Sequence, residues 1–120
     1  MNRFTERVKL SPLSDGKRWE VLENFGYYIG NNDQEMIIVP RGFITDLASV
    51  PRVFHSFIPP WGKYGQAAIL HDYLYETKKY PKKIADKIFY DAMGVLRVPK
   101  WKRTIMYLAV KWFGEYRFNK

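Results

Sequence analysis

The hydrophobic period of this chain changes once, near residue 46, and that change limits the folds open to it. Before residue 46 the apolar residues recur on a period of about 2, the signature of strands with one buried face. "RVKL" alternates Val8 and Leu10, and "SDGK" (14–17) is a turn. "RWEVLEN" (18–24) sets Trp19 and Val21 against Glu20 and Leu22 less cleanly. "FGYYIG", the turn "NNDQ" (31–34) and "EMIIVP" read as a hairpin, and "GFIT" (42–45) as a last short strand. A three- to five-stranded antiparallel sheet is therefore expected within residues 4–45.

After residue 46 the period becomes about 3.6, and helices are expected. "SVPRVFHSFIPPWG" predicts one short helical turn capped by Ser49, with Pro51 in its first turn, stopped by Pro59, Pro60 and Gly62. Three longer helices follow, near 63–77, 82–97 and 100–115. The second is expected to bury Ile84, Ile88, Phe89, Ala92 and Leu96, and the third Ile105, Leu108, Ala109 and Trp112. A strand half followed by a helical half predicts an α+β fold: a small antiparallel sheet packed against three C-terminal helices, in one domain over 1–120.

Composition excludes several classes. Of the 120 residues 47% are apolar and 18% aromatic, too many to leave in water, so a packed core is expected rather than disorder. No apolar run approaches the ~18 residues that span a bilayer, so no membrane span is expected. The N-terminus "MNRFTERVKL" lacks the apolar stretch of a secretory signal. Without cysteine there is no disulfide, no thiolate cluster and no Cys nucleophile. No Gly-x-Ser-x-Gly elbow occurs, and "WGKYG" has neither phosphate-loop nor dinucleotide spacing.

The net charge of +8 is unevenly placed. Residues 1–75 hold 8 Lys/Arg and 8 Asp/Glu, whereas residues 76–120 hold 12 and 4, in runs such as "TKKYPKK" and "PKWKR". The whole excess lies in the last 45 residues. Such asymmetry suits a surface for nucleic acid, acidic protein or anionic lipid, and equally suits ordinary solvated helix faces.

The candidate chemistry centres on "AAILHDYLYE" (67–76), which sets His71 and Asp72 in an apolar helix. An unpartnered polar group there costs ~1–3 kcal/mol, so partners are expected. Asp46 closes the last strand, and Asp86 borders the apolar stripe of the second helix. One imidazole with two or three carboxylates is an oxygen-rich site suited to Mg, Mn, Fe or Zn, which would activate water for hydrolysis. In that reading Asp46, His71 and Asp86 hold the metal, Asp72 orients His71 or acts as base, and Arg52 binds an anionic group. His55 is a weaker further ligand. The structural alternative is equally specific: Asp46 caps a turn, Asp72 fixes the His71 tautomer and Asp86 pairs with Lys82 or Lys83. Trp61, Tyr64, Tyr73 and Tyr75 are core packing or a substrate wall.

"GFITDLASVPR" (42–52), "PPWGKYGQAAILHDYLY" (59–75) and "KKIADKIFYDAM" (82–93) together resemble the successive motifs of the domain-of-unknown-function family 1353, over about residues 37–115. The resemblance implies a phage or prophage origin, hence a place in the host cytoplasm or the virion, and no particular activity. Its polar motif positions fall on Thr45, Asp46, Ser49, Arg52, His71, Asp72 and Asp86. Two positions depart from it. Tyr73 stands where Trp is common, and Lys82 or Lys83 where Arg is usual. A likeness to HD-type phosphohydrolases is superficial, since only His55 is left to supply their further histidines. Two function classes follow. One is a phage-encoded metal-dependent hydrolase of a small phosphorylated or amide-containing substrate. The other is a non-enzymatic virion, tail or host-factor protein that meets a polyanion or another phage or host protein through its basic helical third.

Overall fold

The computed structural model describes residues 3–16, 18–30, 35–45 and 65–113. The chain divides into two compact units, Met1–Asp46 and Leu47–Lys120, and the division falls where the hydrophobic period changes. The fold is α+β: among the described residues the strands lie in the first unit and three helices in the second.

The described residues of the first unit form six strands: β1 (Arg3–Phe4), β2 (Leu10–Pro12), β3 (Trp19–Val21), β4 (Phe25–Ile29), β5 (Glu35–Val39) and β6 (Ile44–Thr45). They form not one antiparallel sheet but two of three strands each, ordered β1-β4-β5 and β2-β3-β6. The expected hairpin is the longest pairing, running from Phe25↔Val39 to Ile29↔Glu35. Its register puts Phe25 opposite Val39 and Tyr27 opposite Ile37, and all four are buried, while Ile38 points away and is half exposed. Phe4, brought alongside by the Phe4↔Tyr27 pair, lays its ring 4.8 Å from Tyr27 and 6.1 Å from Phe25. This aromatic cluster is the core of the first sheet. The second sheet is built on β3, where the Leu10↔Val21 and Trp19↔Thr45 pairs flank a fully buried Val21.

Of the turn expected at 14–17, residues 14–16 are described and do turn. Gly16 adopts φ 71°, which a residue with a Cβ enters only at a cost, and Asp15 accepts from the Arg18 backbone N–H at 3.0 Å and from its guanidinium at 2.6 Å. Gly26 in the middle of β4 has a different reason. A Cβ there would lie 2.9 Å from the Met36 sulfur and 3.1 Å from the Thr5 methyl, so the residue lets neighbours on both sides close in.

In the second unit α1 spans Gly65–Thr77, α2 Lys82–Val95 and α3 Lys100–Phe113. Within it α2 packs on α1 and also on α3. Helix α1 is buried nearly all round, from Ala67 through Asp72 and again at Leu74 and Tyr75. It ends at Lys78, left-handed at φ 54°, whose N–H returns to the Leu74 carbonyl. Helix α2 ends in a Schellman motif: Val98 N–H bonds the Met93 carbonyl and Arg97 N–H that of Gly94, with Arg97 left-handed at φ 64°.

The buried stripes differ from those the spacing predicts. On α2 the buried set is Ala85, Asp86, Ile88, Phe89, Ala92 and Met93, while Ile84 is 46% exposed and Leu96 is the intermediate C-cap. On α3 it is Met106, Ala109 and Val110, while Trp112 is 65% exposed. Each inward face is rotated from the expected one. Both helices carry apolar residues on more than one side, and the neighbour that is present selects the side.

Candidate functional site

Helix periodicity builds one half of the site on each of two helices. On α1 His71 and Tyr75 are one turn apart, and on α2 Lys82 and Asp86 are also one turn apart, so each pair shares a face. Where α1 meets α2 the four side chains converge. Asp86 Oδ1 accepts from His71 Nε2 at 2.8 Å and from the Tyr75 hydroxyl at 2.5 Å. Oδ2 accepts from the Lys82 ammonium at 2.8 Å. Lys82 reaches on to the last turn of α3, donating to the Val110 carbonyl at 2.9 Å and the Lys111 carbonyl at 3.1 Å. One carboxylate thus ties all three helices together.

The surroundings are apolar. His71 is fully buried and Asp86 is 2% exposed. The imidazole lies between Phe89, stacked at 4.6 Å between centroids, and Tyr75, tilted at 4.2 Å. Burial alone would push the Asp86 carboxyl up, but hydrogen bonds from His71, Lys82 and Tyr75 outweigh it and hold its pKa below the usual carboxylate value. The Tyr75 phenol is pushed far up, by burial first and then by its bond to Asp86, so it stays a donor.

An ionised Asp86 accepts only, so His71 Nε2 carries the proton and donates it. In the neutral ring Nδ1 then holds a lone pair. That atom is buried and has no hydrogen-bond partner among the described residues. A buried nitrogen left so costs ~1–3 kcal/mol, and such a group in a folded protein calls for a ligand, a water or a reaction to account for it.

The expected convergence is therefore found between His71 and Asp86. The set of side chains around it is wider than the sequence suggests: Lys82 is a foreseen partner of Asp86, but Tyr75 reads as core packing or a substrate wall, although its position one turn from His71 is a usable signal. Asp72 is buried about 100° further round α1, and its charge helps keep the Tyr75 phenol protonated. Asp46, Ser49, Arg52, His55, Trp61 and Tyr64 lie outside the described residues, as does the expected short helical turn. Thr45, at the end of β6, is buried. Among the described residues no group of three or more His, Asp or Glu side chains is arranged to hold a metal.

Comparison with known curated proteins finds a similar sequence. The chain is 41% identical over 78 residues to an uncharacterised protein, y4jT, of Sinorhizobium fredii, a match covering 63% of this chain and 23% of that one. The chain thus spans about a quarter of that relative's length. No solved structure matches it. The family described as "Protein of unknown function (DUF1353)" matches residues 19–110, which include β3 to β6, all of α1 and α2 and the His71–Asp86 pair, and the chain belongs to that family.

Proposed function

We propose that the protein is a phage- or prophage-encoded hydrolase whose working group is His71. The observation that carries this reading is the His71 ring itself: fully buried, held through Nε2 by Asp86, with Nδ1 unanswered among the described residues. A carboxylate on one imidazole nitrogen fixes the tautomer and raises the basicity of the other, an arrangement used for metal ligands and for general bases.

In this reading Asp86 is a positioning group and not a ligand. Its oxygens already accept three bonds, and the Lys82 ammonium at 2.8 Å repels a dication. His71 Nδ1 would hold the metal together with Asp46, Asp72 would serve as base, and Arg52 would bind an anionic group of a small phosphorylated or amide-containing substrate. A divalent ion there (Zn, Mn, Mg or Fe) supplies Lewis acidity for attack by water. The phage or prophage origin, and with it the host cytoplasm or virion, rests on the motif resemblance.

The test uses untagged protein, dialysed against each metal in turn and assayed on chromogenic phosphoesters and anilides. Stoichiometric metal, about tenfold or more weaker in Asp86→Asn and lost in His71→Ala, is the expected result. Folded protein that neither binds metal nor hydrolyses any of these substrates overturns it.

A second reading is favoured by Lys82. Its bonds from Asp86 to the Val110 and Lys111 carbonyls make the polar centre a clasp across three helices. The protein would then be a non-enzymatic phage accessory that binds a polyanion or another protein through its basic helical face.

A further inference from the structure

Helix α3, "KWKRTIMYLAVKWF", carries two faces that its neighbours treat differently. Met106, Ala109 and Val110 are buried. Trp101 and Trp112, eleven residues apart, fall within about 20° of each other around the axis and about 16 Å apart along it. Both are open to solvent, at 55% and 65%. Ile105 and Leu108 lie between them on the same stripe and are only partly covered. The stripe is bordered by lysines about 90–110° from its centre, Lys100 and Lys111 on one side and, on the other, Lys102, whose ammonium lies 5.4 Å from the centre of the Trp101 ring. Lys100 and Lys111 are exposed. No acidic residue occurs anywhere in the helix.

We infer that this face docks on an anionic lipid surface, with the Trp101–Ile105–Leu108–Trp112 stripe lying in the headgroup region parallel to the membrane. Indoles at both ends suit the interface because they are apolar in body and polar at one edge. The aliphatic pair between them meets acyl chains, and flanking lysines lay their stems along the stripe while their ammonium groups reach the phosphates. Arg103 takes no part: its Nε donates to the Val98 carbonyl and its guanidinium lies over the Tyr90 ring. No described helix is long and apolar enough to cross a bilayer, so the contact is with the surface.

Charge separates this occupant from others. A second copy would set lysines against lysines with no carboxylate on α3 to answer them. A nucleic acid would match the cations and the indoles but not Ile105 and Leu108. The inference gives a specific occupant to the basic helical face, so it rests on the second reading above.

Flotation with vesicles tests it. The protein should float with phosphatidylglycerol-containing vesicles at low salt and not with pure phosphatidylcholine, and binding should fall at least tenfold between 50 and 500 mM salt, as about expected for screened lysines. Trp101→Ser/Trp112→Ser should weaken binding tenfold or more with an unchanged melting temperature, because both indoles are exposed. Lys100→Glu/Lys111→Glu should do the same without touching the apolar stripe. No binding to anionic vesicles, or binding that survives both double variants, overturns the inference. Binding to single-stranded DNA or to an acidic peptide, without vesicle binding, also overturns it and leaves the broader second reading standing.

Discussion

Replacing Asp86 with Asn removes one charge from the middle of the helical unit and almost no volume. The wild-type carboxylate accepts three bonds, two on Oδ1 and one on Oδ2. Asn offers one oxygen and one NH2. With its oxygen toward His71 and Tyr75, the NH2 faces the Lys82 ammonium, donor against donor. With the amide turned over, the NH2 faces His71 Nε2–H and the Tyr75 hydroxyl. Tyr75 can rotate its hydroxyl to accept, but His71 must move its proton to Nδ1. In the first orientation the Lys82 ammonium loses its acceptor, and in the second it keeps a neutral oxygen while a donor faces His71. Either way the charge-assisted part of the Lys82 bond is gone, a bond worth about 1.5–3 kcal/mol, and a further donor is strained. Removing one partner from a buried ion pair costs about 3–5 kcal/mol, and the 19% exposure of the Lys82 side chain lowers that. The expected loss is therefore about 2–4 kcal/mol, within the about 5–15 kcal/mol stability typical of folded domains. Urea unfolding followed by helical circular dichroism measures it. Adding Lys82→Met removes the orphaned cation, so the double variant should be about 1–2 kcal/mol better than the sum of the singles. An Asp86→Asn variant within about 0.5 kcal/mol of wild type would refute the account of a carboxylate that ties the helices together.

Three further outcomes are expected. Asp86 has a native pKa below its unfolded value of about 3.9, so its contribution is full at neutral pH and lost as pH falls below about 4 through the native value; urea midpoints from pH 7 to 2 should drop more steeply for wild type than for Asp86→Asn. Arg97→Gly should stabilise by about 0.5–1 kcal/mol, because Arg97 is exposed and left-handed at the end of α2; a loss of stability in the same urea assay counts against the Schellman geometry. Gly94→Ala gains up to about 1 kcal/mol of helix propensity, against a Cβ 2.9 Å from Arg103 Nη1. That atom ends a flexible side chain, so the net change should lie between zero and about +0.5 kcal/mol, and a loss above about 1 kcal/mol would show that Arg103 is fixed over Tyr90.

The sequence by itself determined the element types and the point where strands give way to helices. Side-chain alternation and helical spacing are local properties, so the shift of period at residue 46 placed strands before it and three helices after it, and Gly16 marked a turn. Two-residue β1 is too short to show alternation, and the one expected sheet of three to five strands is, among the described residues, two sheets with six. It also determined that His71 needs a partner, since an imidazole between Leu70 and Leu74 on a buried helix cannot be left to water. Which strand joins which was decided only in three dimensions. β1 adds to the edge of β4 and β2 to that of β3, and alternation is the same for either pairing. The inward faces of α2 and α3 were likewise decided there. Ile84 and Trp112 read as core and are exposed, while Asp86 is buried because His71, Tyr75 and Lys82 all donate to it. A period reports that a face is apolar; whether that face is covered depends on residues far away in sequence, and a carboxylate enters the interior only where such residues bring enough donors to replace water.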